Sequence, residues 1–380
     1  MSEPIRNFER TLRGSPDVPA NVKLTGLRGV GKTVLLKEFE RRATDDLGWI
    51  ASRVQVEPRH NRDAELTSLI MHLAEQATQR ASRAARLKAK VAGAAAGTRN
   101  LVKVSYEDIE FPLAGTDTSS TSIAEALFDA ASAVTDNGHE GYLLLLDEVQ
   151  VLRDERKPTG EHPLSLLIAA VNSLQEAGMP VGLVLCGLPT LKSNLLKART
   201  YTERMFRGEE IGRLSGPSDA TDATDAFVRP LDDTGITATD ALAQRVVLEV
   251  EGYPFFIQLW GAELWDAAAD AGLDVLDERL LEQVQPDIYI RLDNDFCGTR
   301  LESPTPAEQD LLMLTARCDY PPLRTSEIRR TSKRTGNNVN VLIGRLSDQG
   351  VVYRIQKGTY EYTAPKFHDY LKRRDAKLPS

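Results

Sequence analysis

The feature that most constrains this chain is an eight-residue string, Gly26-Leu27-Arg28-Gly29-Val30-Gly31-Lys32-Thr33. It follows a short apolar run at 22–25 and precedes a helix-like run at 33–42. The spacing is a glycine, four residues, then Gly-Lys-Thr. Glycines let backbone N–H groups converge on an anion without Cβ collisions, and the amino end of the following helix adds positive potential. Lys32 supplies a point charge for the β- and γ-phosphates, and the Thr33 hydroxyl is an oxygen ligand for magnesium. Residues Gly26 through Val34 therefore predict a strand–loop–helix phosphate cradle, with ATP and Mg2+ as its ligands.

A second string, Leu143-Leu144-Leu145-Leu146-Asp147-Glu148, belongs with the first. Four apolar residues in a row read as a strand buried on both faces. An acid at the carboxyl end of such a strand points into the crevice where parallel sheets bind ligands. Asp147 is the expected magnesium partner beside Thr33. Glu148 is placed to orient or deprotonate an attacking water, which makes Glu148 and Lys32 candidate catalytic groups. Acids at strand ends also serve as plain loop starters, and it is the phosphate loop upstream that gives this pair its weight.

Around these motifs, residues 1–215 alternate strands and helices, with strands expected at 22–25, 49–56, 142–146 and 181–186 and helices at 33–42, 62–91, 122–133 and 165–178. Apolar strands separated by helices imply an α/β domain with a parallel sheet covered on both sides. An insertion at about 92–120, Ala/Gly-rich at first, carries a strand or small hairpin at 101–111. Residues 216–303 read as helices at 220–228, 239–250, 255–271 and 277–294, from apolar spacing. At Thr305-Pro306-Ala307-Glu308 a capping box opens the last region, 304–380. Three helices there, at 306–317, 325–331 and 336–349, are followed by strands at 351–355 and 360–363 and a closing helix at 365–374, the pattern of a winged helix-turn-helix.

Charge bears on partners. The chain carries −8 overall, which argues against indiscriminate coating of nucleic acid. Residues 301–380, however, hold fourteen Lys/Arg against nine Asp/Glu, leaving the first 300 residues at −13. A basic terminal region on an acidic body suggests a local anionic partner. The basic residues Arg329, Arg330, Lys333 and Arg334 fall around the second and third helices, Asn337, Asn338, Asn340 and Arg345 on the third helix, and Arg354 and Lys357 in the wing. Asn can pair with adenine and Lys/Arg with phosphates, so double-stranded DNA is the expected partner. The same face also fits protein docking.

No apolar run approaches the 18–20 residues a membrane span needs, and the start has no apolar core of a secretory signal. Cys186, Cys297 and Cys318 lie far apart with no Cys-x-x-Cys pair, as in a reduced, cytoplasmic protein.

Taken with Cys186-Gly-Leu-Pro, Glu203-Arg204-Met-Phe and Gly252-Tyr-Pro-Phe-Phe, these motifs resemble the AAA+ P-loop ATPases, in particular the origin-recognition and replication-initiator-like branch. They are also similar to the STAND-type signalling ATPases. The resemblance implies a five-stranded parallel sheet, a helical lid and a DNA-binding winged helix. It implies a polar sensor side chain after the fourth strand, where this chain carries Leu188 and, two residues on, Thr190. That departure implies hydrolysis that is slow or depends on a partner. Arg204 matches the arginine that reaches a neighbouring subunit's ATP, which implies a nucleotide-dependent homo-oligomer. Pro254, in a lid turn lacking the usual arginine, is expected to pack the adenine with the segment around Ile5 and Arg6. The resulting expectation is an ATPase whose ATP/ADP state controls DNA binding. The alternatives are a signalling or defence switch, or a mobile-element accessory ATPase, with a protein-docking winged helix.

Overall fold

The computed structural model describes residues 2–92, 118–155, 157, 159–199, 201–214, 219–364 and 366–376. The expected strand at 101–111 and most of the insertion at 92–120 lie outside them. The chain forms two compact units, one of Met1–Thr25 and Lys32–Glu210, the other of Gly26–Gly31 and Ile211–Ser380.

In the first unit, strands β1 (Ala20–Gly26), β2 (Ile50–Gln55), β3 (Tyr142–Asp147), β4 (Val181–Gly187) and β5 (Arg207–Ile211) form one sheet in the order β2-β3-β4-β1-β5. The pairs β2–β3, β3–β4 and β4–β1 are parallel. Every residue of β3 and β4 is buried, as the unbroken apolar runs require of central strands with helices on both faces. The register pairs Thr25 with Gly187, Leu146 with Leu185 and Gln55 with Asp147. The carboxyl ends of β1, β3 and β4 are therefore level, which brings the site residues to one edge.

Helices α1 (Ser2–Arg13), α2 (Lys32–Arg41), α3 (Asp63–Ala92), α4 (Thr118–Asp136), α5 (Pro163–Glu176), α6 (Thr190–Ala198) and the short α7 (Thr202–Met205) complete this unit. Helices α1, α6 and α7 and strand β5 were not in the sequence reading. Helix α1 is amphipathic and buries Phe8 and Leu12, with Phe8 stacked on Phe39 of α2 at 4.0 Å and 3°. Strand β5, Arg-Gly-Glu-Glu-Ile, has no apolar run to betray it. It is a sheet edge with no fully buried residue, where backbone pairing suffices and polar side chains blunt the rim.

In the second unit, α8 (Ala220–Val228), α9 (Asp240–Glu249), α10 (Pro254–Ala271), α11 (Glu278–Arg291) and α12 (Thr299–Glu302) carry a two-stranded ribbon of β6 (Thr237–Ala238) and β7 (Val275–Leu276). Then come α13 (Pro306–Thr315), β8 (Leu323–Arg324), α14 (Thr325–Ser332), α15 (Gly336–Asp348), β9 (Val352–Gln356), β10 (Thr359–Tyr362) and α16 (Phe367–Asp375). The capping box at Thr305 and Glu308 is formed. Strand β8, only two residues long, joins β10 and β9 in an antiparallel sheet that the sequence reading had as two strands. One continuous apolar core runs from Ala223 to Leu371, and an ion pair between Arg373 and Asp293 also links α16 to the segment after α11.

Candidate functional site

The site begins where β1 gives way to α2. Gly29 and Gly31 have φ of +80° and +91°, a left-handed backbone that costs other residues about 1–2 kcal/mol. Helix α2 is anchored by Leu35, Leu36 and Phe39, all buried, and Lys32 at its start is only 6% exposed. The Thr33 hydroxyl donates to Asp147 Oδ2 at 2.7 Å. The other oxygen, Oδ1, accepts the Glu148 backbone N–H at 2.9 Å. Asp147, 4% exposed at the end of β3, thus has both oxygens engaged, as a buried carboxylate must.

Glu148 has a left-handed backbone, φ +57° and ψ +29°, unusual for a residue with a long side chain. Its Oε2 accepts from Gln150 Nε2 at 2.5 Å. Gln150 Oε1 accepts the Leu188 backbone N–H at 3.0 Å, and Asn194 Nδ2 donates to the Gln150 carbonyl at 3.1 Å. Leu188 itself is buried at 2% exposure, so this position offers its amide and no polar side chain. Neighbouring Cys186 is buried, and burial together with the Asp147 charge pushes its thiol well above the ordinary range. It remains a neutral packing group, and Cys297 and Cys318 are buried as well.

The donor set suits magnesium. Two hard oxygens, on Thr33 and Asp147, lie within a hydrogen bond of each other. Among the described residues no group of three or more His, Cys, Asp or Glu could hold a metal unaided. Magnesium usually takes one or two protein oxygens and completes its shell with waters and phosphates, so Thr33 and Asp147 would hold it.

Within the second unit, the loop segment Gly26–Gly31 has its own partners. Phe255 donates its N–H to the Gly29 carbonyl at 3.0 Å, and Arg28 donates its N–H to the Thr363 carbonyl at 3.4 Å. A Cβ on Gly29 would lie 2.8 Å from Phe255 Cβ, so glycine is needed there for space as well as for conformation. Pro254 opens α10 at its first turn, and exposed Phe255 stacks on Phe296 at 5.3 Å. Arg300 lies over the Phe296 ring at 3.9 Å. Ile5 and Arg6, expected beside Pro254, belong to α1 in the other unit.

Arg204 is exposed on α7. It lines a cavity of about 510 Å³ with Arg199, Tyr201 and Glu176, and no residue of the phosphate site lines it.

At the C-terminal end, α15 buries Val339, Leu342, Ile343 and Leu346 and turns its other face outward. Asn337, Asn338, Asn340 and Arg345 are exposed there, as are Arg329, Arg330 and Lys333 before it and Arg354 and Lys357 in the β9–β10 ribbon. Arg334 differs: it is half-buried, donating to Asn338 Oδ1 at 3.3 Å and paired with Asp310 at 3.8 Å. Two apolar side chains of these elements are exposed as well, Val341 of α15 at 52% and Ile355 of β9 at 49%.

The sequence reading passed over Gln150 and the Leu188 amide. Gln150 was visible as a polar residue two places after the paired acids, but its partners lie across the β3–β4 junction.

Residues 6–185 match the family model of the AAA ATPase domain, and residues 294–371 match a domain of unknown function, DUF8462. The chain is similar to a Walker-type ATPase of Pyrococcus abyssi, at 18% identity over 97% of this chain and 95% of that one, with a TM-score of 0.53, which shows a shared fold. It is also similar to Cdc6p from Pyrobaculum aerophilum, at 13% identity over 99% and 93% with a TM-score of 0.47. Drosophila ORC bound to DNA gives 10% identity over 98% and 86% with a TM-score of 0.43. No curated protein matches the chain.

Proposed function

We propose that this chain, whose residues 6–185 match the AAA ATPase domain model, binds and hydrolyses ATP with magnesium and uses nucleotide state to control DNA binding. The observation that carries this reading is the Thr33–Asp147 hydrogen bond next to a buried Lys32, in a chain that carries the Gly-x4-Gly-Lys-Thr spacing.

In this reading Lys32 neutralises the β- and γ-phosphates, and the loop's backbone N–H groups orient them. Magnesium, when bound, screens phosphate charge. Glu148 orients the attacking water and takes its proton. Arg204, exposed on α7, serves a neighbouring copy's ATP, where a guanidinium stabilises charge in the transition state.

We divide the second unit into a helical lid at 216–303 and a winged-helix module at 304–380. The capping box at Thr305 and the three-stranded sheet that follows support the division. The exposed Arg, Lys and Asn residues of α14, α15 and the β9–β10 ribbon support DNA as the partner. Coupling has a physical route, since the loop segment Gly26–Gly31 clusters with this unit and Arg28 donates its N–H to Thr363. A change in the loop on binding phosphate is then felt where the module is held.

Exposed Val341 and Ile355 favour a second reading, a switch whose winged helix docks protein. The test is calorimetry with Mg–ATP, followed by ATPase assays with and without duplex DNA at two protein concentrations. Lys32→Ala should weaken ATP binding on the order of 100-fold, a loss of about 2.7 kcal/mol. An unchanged affinity would remove the phosphate assignment. Stimulation by DNA supports the first reading. No DNA affinity, with a nucleotide-dependent change in mass, supports the second.

A further inference from the structure

We propose that Gln150 is the positioning residue of the ATPase site, its carboxamide holding the Glu148 carboxylate by one oxygen and leaving the other to take the proton of the attacking water. The proposal rests on the hydrolytic reading above. Its substance is a side chain to which no role has been assigned.

Gln150 is 6% exposed and has a hydrogen bond at each end of its amide. Leu188 N–H can only donate, so the atom facing it at 3.0 Å must be the amide oxygen. That fixes the amide orientation and obliges Nε2 to point at Glu148, where it donates to Oε2 at 2.5 Å. A donor to an ionised carboxylate is roughly twice as strong as one between neutral groups. Space for the arrangement comes from Gly187, where a Cβ would lie 2.6 Å from Gln150 Oε1. Asn194 holds the Gln150 backbone carbonyl from α6. The left-handed backbone at Glu148 completes the fixing of the head group, and strain of this kind persists only where the surroundings over-determine it.

The chemistry balances without another participant. The water oxygen bonds to the γ-phosphorus as the bond to the β–γ bridging oxygen breaks. ADP leaves with that oxygen, phosphate forms, and the water's proton passes to Glu148. Gln150 touches neither water nor phosphate in this scheme.

Gln150→Glu is the decisive variant. It keeps the volume and an acceptor for Leu188 N–H but sets a carboxylate against Glu148 instead of a donor. With purified full-length chain, kcat should fall about tenfold or more, part of the 10²–10⁴ that general-base catalysis contributes, with KM for ATP within about twofold. Gln150→Leu, which removes both bonds, should fall similarly. In a Glu148→Gln background, adding Gln150→Leu should change the residual rate less than about twofold, because residues that act as one unit are not additive. Wild-type turnover in Gln150→Glu would overturn the proposal, showing that the amide serves only Leu188. An equal loss in both backgrounds would overturn it too, as would a wild-type chain that binds ATP and leaves it intact. Absence of ATP binding in calorimetry is a separate result, which removes the hydrolytic reading and this assignment together.

Discussion

Two regions of the chain place their polar groups in opposite ways. In the first unit, Lys32, Asp147 and Gln150 are buried, and a line of hydrogen bonds joins Thr33, Asp147, Glu148, Gln150 and the Leu188 amide. At the C-terminal end of the chain, the Arg, Lys and Asn residues of α14, α15 and the β9–β10 ribbon stand mostly in solvent, and Arg334 alone among them is half-buried against Asp310. Burial makes each polar group answerable to its neighbours, because an unpaired one costs about 1–3 kcal/mol. Solvated groups carry no such obligation, and their role is decided by what approaches them. Substitution in the first unit should therefore act through specific atoms, and in the second through net charge.

The strongest way to break this contrast is Glu148→Gln, which keeps the size and hydrogen-bonding reach of the side chain. ATP binding should persist while turnover drops on the order of 10²–10⁴-fold. Single-turnover assays check this, and an unchanged rate would show that the buried line is only structural. A smaller effect is expected at the basic face. Arg330→Ala and Lys357→Ala should weaken DNA binding across all sequences, and each should reduce the dependence of log affinity on log salt by about one. Fluorescence anisotropy titrations at several salt concentrations read it, and a charge-independent affinity would assign the face to another partner. The smallest effect sharpens the comparison, since both units hold a buried imidazole. Burial pulls His60 and His368 below their ordinary pKa. As pH falls below about 6.5 the unfolded chain takes up protons that these folded positions resist, so stability declines on the acid side and is fully present above that value. Urea midpoints for His60→Gln and His368→Gln at neutral and mildly acid pH show which unit gives way first. A wild-type midpoint independent of pH there would contradict it.

How much of this could be read in the sequence follows the same divide. Glycines at fixed spacing and an acid ending an apolar strand are local signals, and the loop, α2, β3 and β4 follow directly from them. Helices α8 to α11 and α13 to α15 likewise declared themselves by apolar spacing and caps. Strand β5 did not, because Arg207–Ile211 is an edge whose side chains need not be apolar. Helix α1 was passed over because its stripe of Phe8 and Leu12 is narrow and its other residues are polar. The Gln150 contact was illegible for another reason. It joins residues 38 apart in sequence, and only the register of β3 against β4, with the bare Cα of Gly187, makes them neighbours. At Leu188 the reading looked for a polar side chain, whereas the position contributes its main-chain amide, which every residue but proline possesses.

The φ of +57° at Glu148 carries one more implication. Glycine and asparagine are the residues most at ease in that conformation, yet neither can accept a proton from water near neutral pH. Comfort of the main chain and usefulness of the head group pull in opposite directions at this one residue, and the molecule keeps the less comfortable choice.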